Sequence, residues 1–78
     1  MVHAFIMVKT DTGESETLLG RVLELDGIVD AHIVAGQYDL IAEADGGAVN
    51  NVLGVASSEI QNLDGVLDTK TYISLSAE

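Results

Sequence analysis

Short apolar runs alternate along this chain with stretches whose apolar residues recur every three or four positions. Val2-His3-Ala4-Phe5-Ile6-Met7-Val8 is almost continuously apolar, the pattern of a buried strand, and Thr10-Asp11-Thr12-Gly13 supplies turn chemistry behind it. Leu18, Leu19, Val22, Leu23 and Leu25 then take helical spacing, behind Glu14 and Glu16, whose charge suits a helix N-terminus. Asp26-Gly27 closes that helix, with glycine in the left-handed conformation that ends helices. Residues 28–35 and 38–45 are strand runs separated by Gly36-Gln37, a loop short enough to predict an antiparallel hairpin. After Gly46-Gly47, the residues Val49, Val52, Leu53, Ala56, Ile60 and Leu63 mark a second amphipathic helix. Asp64-Gly65 ends it, and residues 66–75 form the last strand.

The resulting order is β-α-β-β-α-β, the split βαβ of an α+β ferredoxin-like domain. Right-handed crossovers place both helices on one face of a four-stranded antiparallel sheet. The two halves also echo each other: Leu25-Asp26-Gly27-Ile28-Val29-Asp30-Ala31 returns as Leu63-Asp64-Gly65-Val66-Leu67-Asp68-Thr69, with Gly27 and Gly65 65 − 27 = 38 positions apart. Simple alternation puts Val2, Ala4, Ile6 and Val8 on one face of the first strand, with Phe5 and Met7 on the other. It sets Ile28, His32 and Val34 against Val29, Ile33 and Ala35 on the next. Apolar side chains on both faces call for a second cover, expected to be another subunit packed sheet to sheet.

Composition sharpens this picture. The 78 residues (1–78) make one domain, and a domain of this size buries only about 60–65% of its unfolded surface. Without cysteine there is neither a disulfide nor a thiolate metal site to supplement the core, so oligomerisation is expected. Proline is absent and 47% of the residues are hydrophobic, which excludes a linker or a disordered segment. Thirteen acidic residues face three basic ones, Lys9, Arg21 and Lys70, for a net charge of −10. That charge excludes direct binding to nucleic acid or to an anionic membrane. Scattered acids with few lysines suit a salt-loving (halophilic) cytoplasm, where salt screens self-repulsion. The apolar run at residues 2–8 has no basic flank before it and is too short to span a bilayer.

Few residues carry chemistry. Gly36-Gln37-Tyr38-Asp39-Leu40 reads as a glycine turn able to expose backbone N–H groups to a carboxylate, with Asp39 available to an ammonium group, or as a plain hairpin turn before a core tyrosine. Thr69 and Thr71 place two hydroxyls on one face of the last strand, where threonine is also simply a good strand residue. His3 and His32, with Asp30 near the latter, lack the spacing of a metal motif and read as half-buried or interface side chains. Ser15, Ser57, Ser58 and Ser74 lie in no nucleophile elbow, and glycine patterns for nucleotide phosphates are absent. No catalytic machinery, metal site or cofactor is expected.

Taken together, Ala4-Phe5-Ile6-Met7-Val8-Lys9, Gly13, Gly36-x-Tyr38-Asp39-Leu40 and Asp64-Gly65-Val66 followed by Thr69-x-Thr71 resemble the effector-binding (RAM) domain of the Lrp/AsnC leucine-responsive regulators. The resemblance covers essentially the whole chain. It implies the same βαββαβ fold, a homodimer paired through its sheets, higher ring-like oligomers, and amino-acid effectors bound between dimers. Matched by position, Gly36, Gln37, Tyr38, Asp39, Thr69 and Thr71 form the implied pocket. Relatives of full length carry a DNA-binding helix-turn-helix; this sequence begins with the effector domain and is expected to stand alone, acting with full-length Lrp-like regulators or another partner. The negative charge departs from what an effector's carboxylate would favour. Three other readings compete: a ligand-free assembly partner, an ACT-type sensor with its ligand near Asp11–Gly13, and an enzyme on a dimeric α/β barrel.

Overall fold

A computed structural model describes residues 2–75, apart from the side chains of Ala56 and Ser57. Its elements run β1 (Val2–Thr10), α1 (Ser15–Leu23), β2 (Ile28–Ile33), β3 (Leu40–Gly46), α2 (Val49–Gly54), a π-helical segment (Val55–Ile60) and β4 (Val66–Ile73). The described residues form one sheet in the order β2-β3-β1-β4, with every neighbouring pair antiparallel. This is the ferredoxin-like arrangement.

The helices cover one face only. Ala4, Ile6 and Val8 of β1, Leu40, Ala42 and Ala44 of β3, and Ala31 of β2 are buried there. Leu18, Val22, Val52 and Ile60 come down onto them. Alanine at four of the sheet positions lets the larger helix side chains close the layer at interior density. On β1 the alternation runs as expected, with Phe5 and Met7 turned to the open face.

β2 does not keep the expected alternation. Ile28 pairs with Ala44 but Asp30 pairs with Glu43, so Val29 is an extra residue. This β-bulge keeps Ile28 against the core, turns Asp30 and His32 onto the open face and returns Ala31 to the helix side. β4 repeats the device: Val66 stands opposite Thr10 and Asp68 opposite Lys9, with Leu67 extra. Val29 and Leu67 are accordingly exposed.

The echoed heptapeptides are therefore one structural corner built twice. Gly27 and Gly65 hold φ of +91° and +94°, as the left-handed helix endings require. Ile28 N–H donates to Leu25 O at 3.3 Å and Val66 N–H to Leu63 O at 3.2 Å. Each glycine carbonyl then accepts from the strand end of the opposite half, Asp45 N–H to Gly27 O at 2.8 Å and Asp11 N–H to Gly65 O at 2.7 Å.

Two elements differ from expectation. The β2–β3 connection spans residues 34–39, longer than Gly36-Gln37 alone, because Asp39 is held by β1: its N–H donates to Val8 O at 3.0 Å, and its carboxylate accepts from Thr10 N–H at 2.8 Å. The second helix is regular only to Gly54, a weak helix former, and then widens into the π-helical segment that delivers Ile60 to the core.

Candidate ligand-binding site

The loop at residues 34–39 lies at the β1 C-terminal end of the sheet. It is closed by Val34 N–H donating to Asp39 O at 2.9 Å. Lys9 Nζ donates to Gln37 O at 3.1 Å and tethers the tip. Gly36 and Gln37 are exposed, and nothing lies within 4 Å of where a Gly36 Cβ would stand. The loop thus presents backbone at an open surface where a ligand can approach closely. Asp39 behaves otherwise than its sequence position suggested: with its carboxylate spent on Thr10 N–H, it shapes the loop.

Thr69 and Thr71 lie across β1 from this loop. They pair with Val8 and Ile6, so both hydroxyls point to the helix-covered side of β4. Gln61, just beyond the π-helical segment, donates from Nε2 to Thr69 Oγ1 at 2.8 Å. Gln61, Val66, Leu67, Asp68 and Thr69 line an open cleft of about 260 Å³. That is a little below the ~300–1,000 Å³ of pockets for drug-sized ligands and suits a smaller metabolite. Within one chain, then, the six expected residues form two patches separated by β1: Gly36 to Asp39 in the loop at its C-terminal end, and Thr69 and Thr71 on β4 beside Val8 and Ile6.

Gln61 and Asp68 were missed by motif reading. Gln61 belongs to no recognisable pattern, and only the wide helical turn brings its amide to Thr69. At the Asp11–Gly13 turn, Asp11 N–H is already taken by Gly65 O, and Asp11 Oδ1 accepts from Thr12 N–H at 2.9 Å.

The open sheet face carries Phe5, Met7, Ile41 and Tyr72 beside a polar group. His3 Nδ1 meets the Asp45 carboxylate, and its Nε2 lies 3.1 Å from Glu43 Oε1. Its ring packs edge-on against Phe5, centroids 5.1 Å apart. The Asp45 hydrogen bond raises the pKa of His3 above its ordinary value; burial opposes this and Glu43 adds to it. Facing a carboxylate at each nitrogen, the ring satisfies both as imidazolium. No helix among the described residues is long and apolar enough to cross a membrane.

Comparison with known proteins places the chain in a family. The structure is similar to the crystal structure of TTHA0845 from Thermus thermophilus, with 27% identity and a TM-score of 0.94, over 100% of this chain and 98% of that one. Two transcription regulators share the fold. E. coli AsnC is 22% identical with a TM-score of 0.88 over 97% of this chain. NMB0573 from Neisseria meningitidis, solved as an L-Met complex, is 17% identical with a TM-score of 0.83 over 96%. The chain spans about half the length of each regulator, 52% and 50% respectively. Among curated proteins, none matches the sequence significantly. The model of the Lrp/AsnC ligand binding domain matches residues 3–78, the span that holds both patches and both glycine corners, and the chain belongs to that family.

Proposed function

We propose that this chain is a non-enzymatic amino-acid sensor that works as an oligomer in Lrp/AsnC-type regulation, in the cytoplasm. The observation that carries the reading is the split site. A family ligand-binding domain presents open backbone at Gly36-Gln37 and hydroxyls at Thr69 and Thr71, yet β1 separates the two patches within one chain. An amino acid engaging both bridges two copies: loop amides of one hold its carboxylate and β4 hydroxyls of another complete the pocket. The L-Met bound by the Neisseria meningitidis regulator on this fold supports the ligand class.

Assembly in this reading begins on the open sheet face, where the paired Phe5 and Tyr72 stay 37% and 51% exposed, with the Met7–Ile41 pair next to them. A second copy of that face would cover them, giving a homodimer able to build rings. The test is melting temperature and light-scattering mass in multimolar salt, with each of the twenty amino acids. At least one should raise the melting temperature or change the mass; no change in either with any of them removes the sensor reading. The net charge of −10 favours one second reading, a ligand-free partner of full-length Lrp-like regulators. That reading predicts capture by such a regulator with no amino acid present.

A further inference from the structure

The polar group on the open face has no part in the ligand site. We propose that Asp30, His32 and Glu43 bind a divalent transition-metal ion of the Zn2+ type. His32 Nε2 lies 3.2 Å from Asp30 Oδ2 and 4.0 Å from Glu43 Oε2, and the three ligand atoms fall within 4.8 Å of one another. Ligands about 2.0–2.2 Å from a tetrahedral Zn2+ stand roughly 3.2–3.6 Å apart, so small rotations of these side chains close the site. The Asp30 and His32 side chains are more than half exposed and free to make them. The imidazole nitrogen selects Zn2+, Co2+ or Ni2+ over Mg2+ and Ca2+, which prefer oxygen alone.

The duplicated corner supplies an independent argument. Asp30 and Asp68 follow the same bulge, and each accepts from the next residue's N–H at 2.9 Å. At the second corner Lys9 stands opposite Asp68 and Lys70 follows two residues on, so the cations are built into the chain. At the first corner those same places hold Glu43 and His32. One frame thus carries a carboxylate with two lysines, and the other a pair of carboxylates with an imidazole, a set that takes its cation from solution. Every ion pair among the described residues is made by a histidine. His3 also donates to Glu43 Oε1, the oxygen turned away from His32, and Asp45 fixes His3 in turn. That is the outer hydrogen bonding that orients a metal-bound carboxylate. All three ligands belong to one chain, so a single copy completes the site and it does not rest on the amino-acid reading; Glu43 and His32 stand opposite Phe5 and Ile41, on the face that the proposed sheet pairing covers.

The test is calorimetric titration of the chelator-treated full chain with ZnCl2, alongside the visible absorption of the Co2+ form. One ion per chain should bind, with a higher melting temperature. His32→Gln and Asp30→Asn should each weaken binding by roughly tenfold or more, while His3→Gln, acting through Glu43, weakens it less. Lys70→Gln, at the second corner, should leave it unchanged. Circular dichroism confirms that the variants fold. Uptake equal in His32→Gln, Asp30→Asn and the parent chain, or Zn2+ displaced by equimolar Mg2+, would mean diffuse attraction to an acidic surface and overturn the proposal.

Discussion

The two halves of this chain share a frame and differ in what they hang on it. In β1-α1-β2 and in β3-α2-β4 a helix ends on a left-handed glycine, a bulge follows one residue into the strand, and an aspartate comes after it. The first half keeps a regular helix and sends its second strand into the open-face cluster. The second half widens its helix after Gly54, and that turn lets Gln61 reach Thr69 over the cleft. Duplication explains the architecture, whereas ligand chemistry collects where the copies have drifted apart.

The largest effects that would break or sharpen this comparison come from the core. Leu18→Ala in the regular helix and Ile60→Ala in the wide one should each cost about 2–5 kcal/mol in urea unfolding. Both are fully buried, and the wider turn can collapse further, so Ile60→Ala should fall toward the lower end. A clearly larger cost at Ile60 would show the π-helical segment to be the stiffer arm.

The glycine corners come next. Gly65→Ala and Gly27→Ala each force an L side chain into the left-handed region at about 1–2 kcal/mol. Gly65 should be the costlier, because its Cβ would stand 3.2 Å from Leu18 Cδ1 and that of Gly27 3.4 Å from Val55 Cγ2. Equal or reversed costs, measured the same way, would mean that the closer Leu18 contact at Gly65 does not set the corners apart.

Smaller still is the pH effect at His3, which only the first half has. Its pKa is raised in the folded state. Its contribution is therefore fully present below the unfolded value of about 6.5 and is lost as pH rises through the folded value. The stability gap between the parent chain and His3→Gln, measured with chelator, should be widest in mild acid and shrink toward alkaline pH. A gap that grows with pH contradicts the His3–Asp45 pairing.

The smallest stability effect belongs to Gly36→Ala. Its φ is ordinary and its surroundings are empty, so the change should stay within about 0.5 kcal/mol. The added methyl should nonetheless weaken amino-acid binding measurably if a ligand closes on that backbone. Unchanged binding removes Gly36 from the site.

How much of this was readable from the residues alone follows physical lines. The element order, the buried core of each helix face and the glycine endings were legible because period and backbone freedom are local properties. Leu23, Val49 and Leu53, read onto those faces, are exposed instead, and the side chain of Ala56 lies outside the described residues. The bulges at Val29 and Leu67 were not: an inserted residue leaves composition and apolar content untouched while reversing every side chain beyond it. Asp39 looked free because its partner, Thr10 N–H, sits on another strand. Glu43 drew no notice for the same reason, since only strand pairing brings it to both histidines.

The central claim is that the loop at residues 34–39 and the β4 hydroxyls together receive an amino acid. The most direct measurement is amide chemical-shift mapping of the isotope-labelled chain in multimolar salt, titrated with the amino acid that raises its melting temperature. The account predicts saturable shifts at Gly36, Gln37 and Tyr38 together with Thr69 and Thr71. Shifts confined to Asp11–Gly13, or to one patch without the other, would contradict it.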